Sequence, residues 1–127
     1  MQLMPDTARL MARTTGVEFA SSRALTDPSL NIQLGTQYLG KMLRQFNNNR
    51  ILASAAYNAG PGRVNRWLNP ELSLEVWIET IPFRETRNYV QNILMFSAIY
   101  ARQLDQQHPL IYPHEYRDFN QTQLTER

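Results

Sequence analysis

The sequence predicts an all-α fold of about six helices, and three observations lead to this prediction. Apolar residues recur every three to four positions through residues 30–46 and 89–104, which is the spacing of an amphipathic helix. Prolines, glycines and asparagines divide the rest of the chain into shorter pieces that begin with residues typical of a helix start. No alternating pattern of useful length indicates a strand. The 127 residues are enough for one domain.

The first half of the chain contains two predicted helices. The first starts at Pro5, because proline suits the first turn of a helix, and it stops at Gly16. Residues 17–26 show no helical period and are predicted to be a loop. Asp27 caps the second helix, since its side chain can accept a hydrogen bond from a free N–H of the first turn. The asparagines at 47–49 end that helix.

The second half contains four more predicted helices. A small-residue helix covers residues 50–57 and ends before a Gly-Pro-Gly turn at 60–62 that cannot continue a helix. Short helices follow at 63–68 and, after a serine cap, at 74–80. The longest helix covers 83–107. Its predicted apolar face consists of Tyr89, Val90, Ile93, Leu94, Phe96, Ser97, Tyr100, Ala101 and Leu104.

Composition excludes several classes of protein. The chain has no cysteine, so disulfides, thiol nucleophiles and cysteine metal sites are excluded. The two histidines, His108 and His114, lie in a proline-broken tail and lack the spacing of a metal site, so neither a metal nor a cofactor is predicted. A net charge of +2 does not indicate a nucleic-acid partner. No apolar run reaches the length of an integral membrane segment.

The residues with the clearest chemical potential are Tyr57 and Asn58, which precede the Gly-Pro-Gly turn. A phenol and a carboxamide at a helix end, beside backbone without side chains, suit a sugar with an N-acetyl group. The same residues fit equally well a capped helix end with a buried tyrosine. The residues alone leave these two interpretations open.

Three separated segments resemble one family. They are Ala56–Val64 (AYNAGPGRV), Met1–Pro5 (MQLMP) and Ile81–Val90 (IPFRETRNYV). In this order and spacing they are similar to the motifs of the soluble lytic murein transglycosylases, whose catalytic domain has a goose-type lysozyme-like fold. The resemblance runs from residue 1 to about 101. It implies a transglycosylase domain at 1–107, and a tail at 108–127 lies outside it.

The resemblance implies a reaction and a place. Members of this family cleave the β-1,4 bond between N-acetylmuramic acid and N-acetylglucosamine and form a 1,6-anhydromuramoyl product, using one glutamate as acid and then as base. The implied partner is the peptidoglycan glycan strand, and no cofactor is implied. The substrate places the protein in the periplasm or cell envelope, although the first residues lack the pattern of a signal peptide. The oligomeric state stays open.

The family's catalytic glutamate belongs to a Glu-Ser pair upstream of the segment that resembles Met1–Pro5. We therefore expect a domain that is truncated at its N-terminus, with no catalytic residue in this chain, and little or no activity from the chain alone. Glu85 is the only glutamate within a family motif, but the helix dipole favours its charged form, which does not suit a general acid. The alternative is a non-catalytic remnant that binds peptidoglycan or a partner.

The substrate-binding residues implied by the resemblance are Gln2, Met4, Tyr57, Asn58, Glu85 and Tyr89. Gln2 would bind the glycan or orient the catalytic glutamate, or else be a solvated terminal side chain. Met4 would line a sugar subsite, although filling the core is the more common role of methionine. Tyr57 would contact the scissile sugar and Asn58 its acetamido group. Glu85 and Tyr89 would line the cleft, unless Tyr89 is simply part of the apolar helix face.

Overall fold

The computed structural model describes residues 3–69, 71–116 and 119. Its elements, in chain order, are α1 (Pro5–Thr15), a 3-10 helix (Ser22–Thr26), α2 (Pro28–Gln45), α3 (Arg50–Ala59), α4 (Pro61–Trp67), α5 (Leu74–Thr80) and α6 (Arg84–Gln103). No strand occurs in these ranges, which confirms the all-α prediction. None of the helices within them is long and apolar enough to cross a membrane.

The chain divides into two compact units, residues 1–41 and 42–127. The first unit has its own apolar core. This core contains Leu3, Ala8, Met11, Ala12 and Leu34, with Val17, Phe19, Leu25, Leu30 and Tyr38 packed against it. Met4 lies outside this core with 73% of its surface exposed, so the interpretation of Met4 as a core residue is wrong. The predicted loop at 17–26 holds a 3-10 helix, which is too short to produce a helical period.

Local caps start two of the helices as the sequence predicts. The backbone N–H of Ser29 donates to Asp27 Oδ1 at 3.0 Å, at the start of α2. The N–H of Val76 donates to Ser73 Oγ at 3.4 Å, at the start of α5. Each cap satisfies an N–H group that has no partner within its own helix. These caps use residues two or three positions apart, so they are readable from the sequence.

The last helix, α6, ends at Gln103, four residues before its predicted end. Asp105 adopts a positive φ of 52°. In this conformation the N–H of Gln106 donates to the carbonyl of Ala101 at 2.8 Å, and the N–H of Asp105 to that of Arg102 at 3.2 Å. This is the Schellman arrangement, which usually has glycine at the left-handed position. Because this position holds aspartate and not glycine, the sequence does not mark the end of the helix.

The apolar face of α6 is narrower than predicted. Its buried residues are Thr86, Val90, Leu94 and Ala101. These residues recur mainly at intervals of four, so a single stripe faces the core. Phe96, Tyr100 and Leu104, which were predicted to share this face, are exposed, the last two by 62% and 68%. The prediction for these three residues is wrong because it assigned two neighbouring stripes of the helix to one face.

The second unit is built around α3. Its residues 51–56 are all buried, and the helix packs against both α4 and α6, while α5 packs against α6. The indole N–H of the buried Trp77 in α5 donates to the carbonyl of Trp67 at 2.8 Å, which ties α5 to the end of α4. The Phe119 ring packs against that of Trp77, with ring centroids 5.8 Å apart. The end of the described chain therefore belongs to the core of this unit.

Candidate functional site

The candidate site begins at the sharp turn between α3 and α4. Tyr57 and Asn58 lie in the last turn of α3, and Gly60 follows with φ 95° and ψ 141°. This conformation is accessible almost only to glycine. A Cβ built on Gly60 would meet no atom within 4 Å beyond its neighbours in the chain, so open space lies beside the turn. Pro61 then starts α4, since proline at the first position needs no hydrogen-bond partner.

Asn58 is held by a residue of α6. The hydroxyl of Thr86, which is only 1% exposed, donates to Asn58 Oδ1 at 2.7 Å. Asn58 itself is half-buried. This bond fixes the plane of the carboxamide, and among the described residues no group accepts a hydrogen bond from its Nδ2. The side chain therefore presents an oriented N–H donor.

Two tyrosines lie on the same two helices as Asn58 and Thr86. The rings of Tyr57 and Tyr89 are nearly parallel, at 7°, with centroids 6.5 Å apart, and both residues are half-buried. Burial raises the pKa of Tyr89, so its phenol stays protonated at neutral pH. A neutral phenol next to an aromatic face offers both an apolar surface and a hydrogen-bonding group.

The remaining predicted site residues are placed as follows. Glu85 is exposed in the first turn of α6, directly before Thr86, and its carboxylate has no ion-pair or hydrogen-bond partner among the described residues. Met4 lies in the first unit and is exposed. Gln2 lies outside the described residues. The structure thus brings Tyr57 and Asn58 to the start of α6, while the sugar contacts of all six residues stay predictions.

Two residues at the start of α6, Thr86 and Phe83, were not singled out from the sequence. Thr86 and Phe83 both lie within the segment IPFRETRNYV, but nothing local distinguishes them there. The guanidinium of Arg63 lies 5.3 Å from the centre of the Phe83 ring and donates to the carbonyl of Ala59 at 2.9 Å. The rings of Phe83 and Trp67 also pack in a T-shaped arrangement, with centroids 5.1 Å apart. These contacts connect the start of α6 to α4.

The tail histidines take part in a different cluster. His108 is hydrogen-bonded to the hydroxyl of Tyr112, and the rings of Tyr112 and His114 lie 5.7 Å apart. Nowhere in the described ranges do three residues of the metal-ligating types come together. Both histidines therefore pack against Tyr112 within the C-terminal segment.

Two family profiles match this chain. The profile described as "Transglycosylase SLT domain" matches residues 1–78, and that described as "Soluble lytic transglycosylase helical domain" matches residues 80–109. The soluble lytic murein transglycosylase of Salmonella typhimurium is 41% identical over 121 residues, which cover 92% of this chain and 19% of that protein. That of Escherichia coli K12 is 46% identical over 104 residues, covering 79% and 16%. The chain thus spans about a fifth of the length of these relatives.

Solved structures agree with the sequence matches. An inactive Glu-to-Gln mutant of the lytic transglycosylase Slt from Pseudomonas aeruginosa is 52% identical, with a TM-score of 0.80. The 70-kDa soluble lytic transglycosylase of Escherichia coli is 42% identical, with a TM-score of 0.84. A complex of the 70-kDa enzyme with bulgecin A is 41% identical, with a TM-score of 0.85. Each match covers 91% of this chain and 19% of the other.

Proposed function

Because this chain belongs to the family of soluble lytic murein transglycosylases, we propose that its second unit binds the glycan strand of peptidoglycan for cleavage of the MurNAc–GlcNAc β-1,4 bond with formation of a 1,6-anhydromuramoyl end. The observation that carries this proposal is the hydrogen bond from Thr86 to Asn58, because it turns a flexible amide into an oriented donor. The proposed place of action is the cell envelope, where this polymer is found.

Each group at the site suits a part of an N-acetylated sugar. The Nδ2 of Asn58 donates to the carbonyl of an acetamido group, and the parallel rings of Tyr57 and Tyr89 offer a surface to a sugar face. The exposed carboxylate of Glu85 accepts hydrogen bonds from hydroxyls. The three kinds of contact together favour an N-acetylated amino sugar over a plain hexose, because its acetamido carbonyl adds an acceptor for the amide donor that a plain hexose lacks.

Neither Glu115 nor Glu85 suits the role of the general acid. Such an acid needs to be protonated near neutral pH, which a partly apolar and unpaired environment provides. Glu115 is buried, and burial acts to raise its pKa, but hydrogen bonds from Arg50 and from backbone N–H groups outweigh burial and lower it. Glu85 is exposed to solvent. We therefore propose that the catalytic glutamate is not one of these and that this chain alone binds glycan with little or no turnover.

The relatives support this division of roles. They are named murein transglycosylases, and in the Slt of Pseudomonas aeruginosa a single Glu-to-Gln change accompanies inactivity. A reaction that depends on one glutamate leaves the other site residues to bind and orient the strand. Substitutions of Tyr57 and Asn58 would then change the affinity for the glycan strand more than they change the rate of the proton-transfer steps.

The test uses purified peptidoglycan sacculi and measures two quantities, the fraction of protein that co-sediments and the release of 1,6-anhydromuropeptides. We expect the unmodified chain to co-sediment without releasing product at a useful rate. Asn58→Ala should weaken binding by about tenfold, since one or two hydrogen bonds to the sugar are lost. Asn92→Ala is the matched control, because Asn92 is exposed on α6.

Two results would contradict the proposal. Equal binding by the Asn58→Ala and Asn92→Ala variants would show that Asn58 does not contribute to glycan binding. Substantial release of anhydromuropeptides would show that a carboxylate of this chain acts as the acid, and Glu85→Gln would then identify or exclude Glu85.

A further inference from the structure

A cluster of polar contacts lies at the start of α3, where the C-terminal segment packs against it. Glu115 is fully buried and accepts hydrogen bonds from Arg50 Nε at 2.6 Å and Nη2 at 2.9 Å, and from the backbone N–H of Tyr112 at 2.7 Å. Asn49 donates to the carbonyl of Glu115 at 2.9 Å. We call these four residues, Asn49, Arg50, Tyr112 and Glu115, the C-terminal clasp.

The clasp holds the helix start as well as the tail. The same Asn49 accepts hydrogen bonds from the N–H groups of Ile51 and Leu52, both at 3.0 Å, and so caps α3. The Arg50 guanidinium also lies 4.5 Å from the centre of the Tyr112 ring. Cap, ion pair and tail therefore share one network, so a change in the tail changes the first turn of α3.

Polar contacts at the two ends of α3 are important for its position, because the side chains in its middle are small. Residues 53–56 are Ala-Ser-Ala-Ala, all buried. Large side chains fix the rotation and axial position of a helix by fitting into the grooves of its neighbours, and a run of small residues provides few such ridges. The two ends then carry more of the positioning, through the clasp at one end and through the Asn58–Thr86 bond at the other.

We infer that Glu115 is a positioning residue for the candidate site, an inference that rests on the proposed function of that site. From Arg50 to Asn58 the helix rises roughly 12 Å. A tilt of about 5° at the clasp would move Asn58 by about 1 Å over that length. A displacement of this size is enough to impair a site that depends on orientation.

The test compares Glu115→Gln with the control Glu71→Gln, whose glutamate lies exposed in a loop of the same unit. Glutamine keeps the shape of Glu115 but turns one acceptor into a donor that faces the donors of Arg50 and Tyr112. We measure the side-chain amide resonances of Asn58, the backbone resonance of Thr86, the binding to purified sacculi and the thermal midpoint. Glu115→Gln should shift the Asn58 and Thr86 signals and weaken binding of the folded protein by about tenfold. Glu71→Gln should change neither.

The outcomes separate this inference from the proposed function. If the unmodified chain fails to bind sacculi, the proposed function fails, and the resonances of Asn58 and Thr86 still decide whether Glu115 positions the site. A lower midpoint for Glu115→Gln with unchanged resonances and unchanged binding would overturn the inference, because the clasp would then only stabilise the fold. If Glu115→Gln does not fold, Arg50→Lys keeps the charge but loses the two-nitrogen fork, and the same readouts apply. Partial shifts with Arg50→Lys support the inference, and their absence overturns it.

Discussion

Replacing Thr86 by valine tests the bond on which the candidate site depends. Valine keeps the volume and branching of threonine but cannot donate to Asn58 Oδ1, which lies 2.7 Å from the hydroxyl. A hydrogen bond of this kind contributes about 1 kcal/mol net to the free energy of unfolding, and leaving a partly desolvated acceptor without its donor costs more than that. Because Asn58 is only half-buried, water recovers part of that loss, so we expect a destabilisation of about 1.5 kcal/mol and a thermal midpoint lower by about 5 °C.

The informative comparison is with Thr86→Ser. Serine keeps the hydroxyl and loses one buried methyl group, which costs about 1 kcal/mol. The two variants therefore lose similar stability but differ in whether Asn58 is held. Releasing the amide adds an ordering cost to binding of about 1 kcal/mol, so Thr86→Val should bind sacculi about fivefold more weakly than Thr86→Ser. Thermal melting by circular dichroism and co-sedimentation measure the two effects. Equal affinity of the two variants would refute the proposal that Thr86 orients Asn58.

Two further predictions concern the turn and the clasp. Gly60→Ala should lower the free energy of unfolding in urea by about 2 kcal/mol through backbone strain alone, because the space for its Cβ is open. Gly62→Ala, in α4 with only an ordinary contact for its Cβ, should raise that free energy by about 0.5 kcal/mol. Equal effects of the two variants would be inconsistent with this reasoning. Since the pKa of Glu115 in the folded protein lies below its ordinary value of 4.5, Glu115 contributes stability above that value and loses it as the pH falls through the lowered pKa. Midpoints measured from pH 7 to pH 3 should therefore fall more steeply for the unmodified chain than for Glu115→Gln, and parallel profiles would contradict this sign.

Features that depend on nearby residues were predictable from the sequence. The cap of α2 by Asp27 and that of α5 by Ser73 involve residues two and three positions apart. The turn at Gly60 follows from a conformation that other residues rarely adopt. Periodicity located the long helices for the same reason, since it reflects neighbours within about two turns.

Features that depend on distant residues were not predictable in this way. Glu115 and Arg50 are separated by 65 positions, and Thr86 and Asn58 by 28. A period cannot show which charged residue of a polar tail becomes buried against which helix end. The resemblance placed Asn58 and Glu85 in one cleft, but it gave no physical reason to choose Thr86, which makes the observed contact. The left-handed Asp105 was missed because the usual marker of such a helix end is glycine.

The pairing of Trp77 with Trp67 has a consequence for how this molecule is observed in solution. The chain has two tryptophans, and both belong to the unit formed by residues 42–127. Trp77 is fully buried, whereas Trp67 is half-buried beside Phe83 at the edge of the candidate site. Indole emission therefore comes from this unit alone, whereas a backbone signal reports on both units. A fluorescence melting curve and a backbone-sensitive curve coincide only if both units unfold together, so their comparison measures the cooperativity between them.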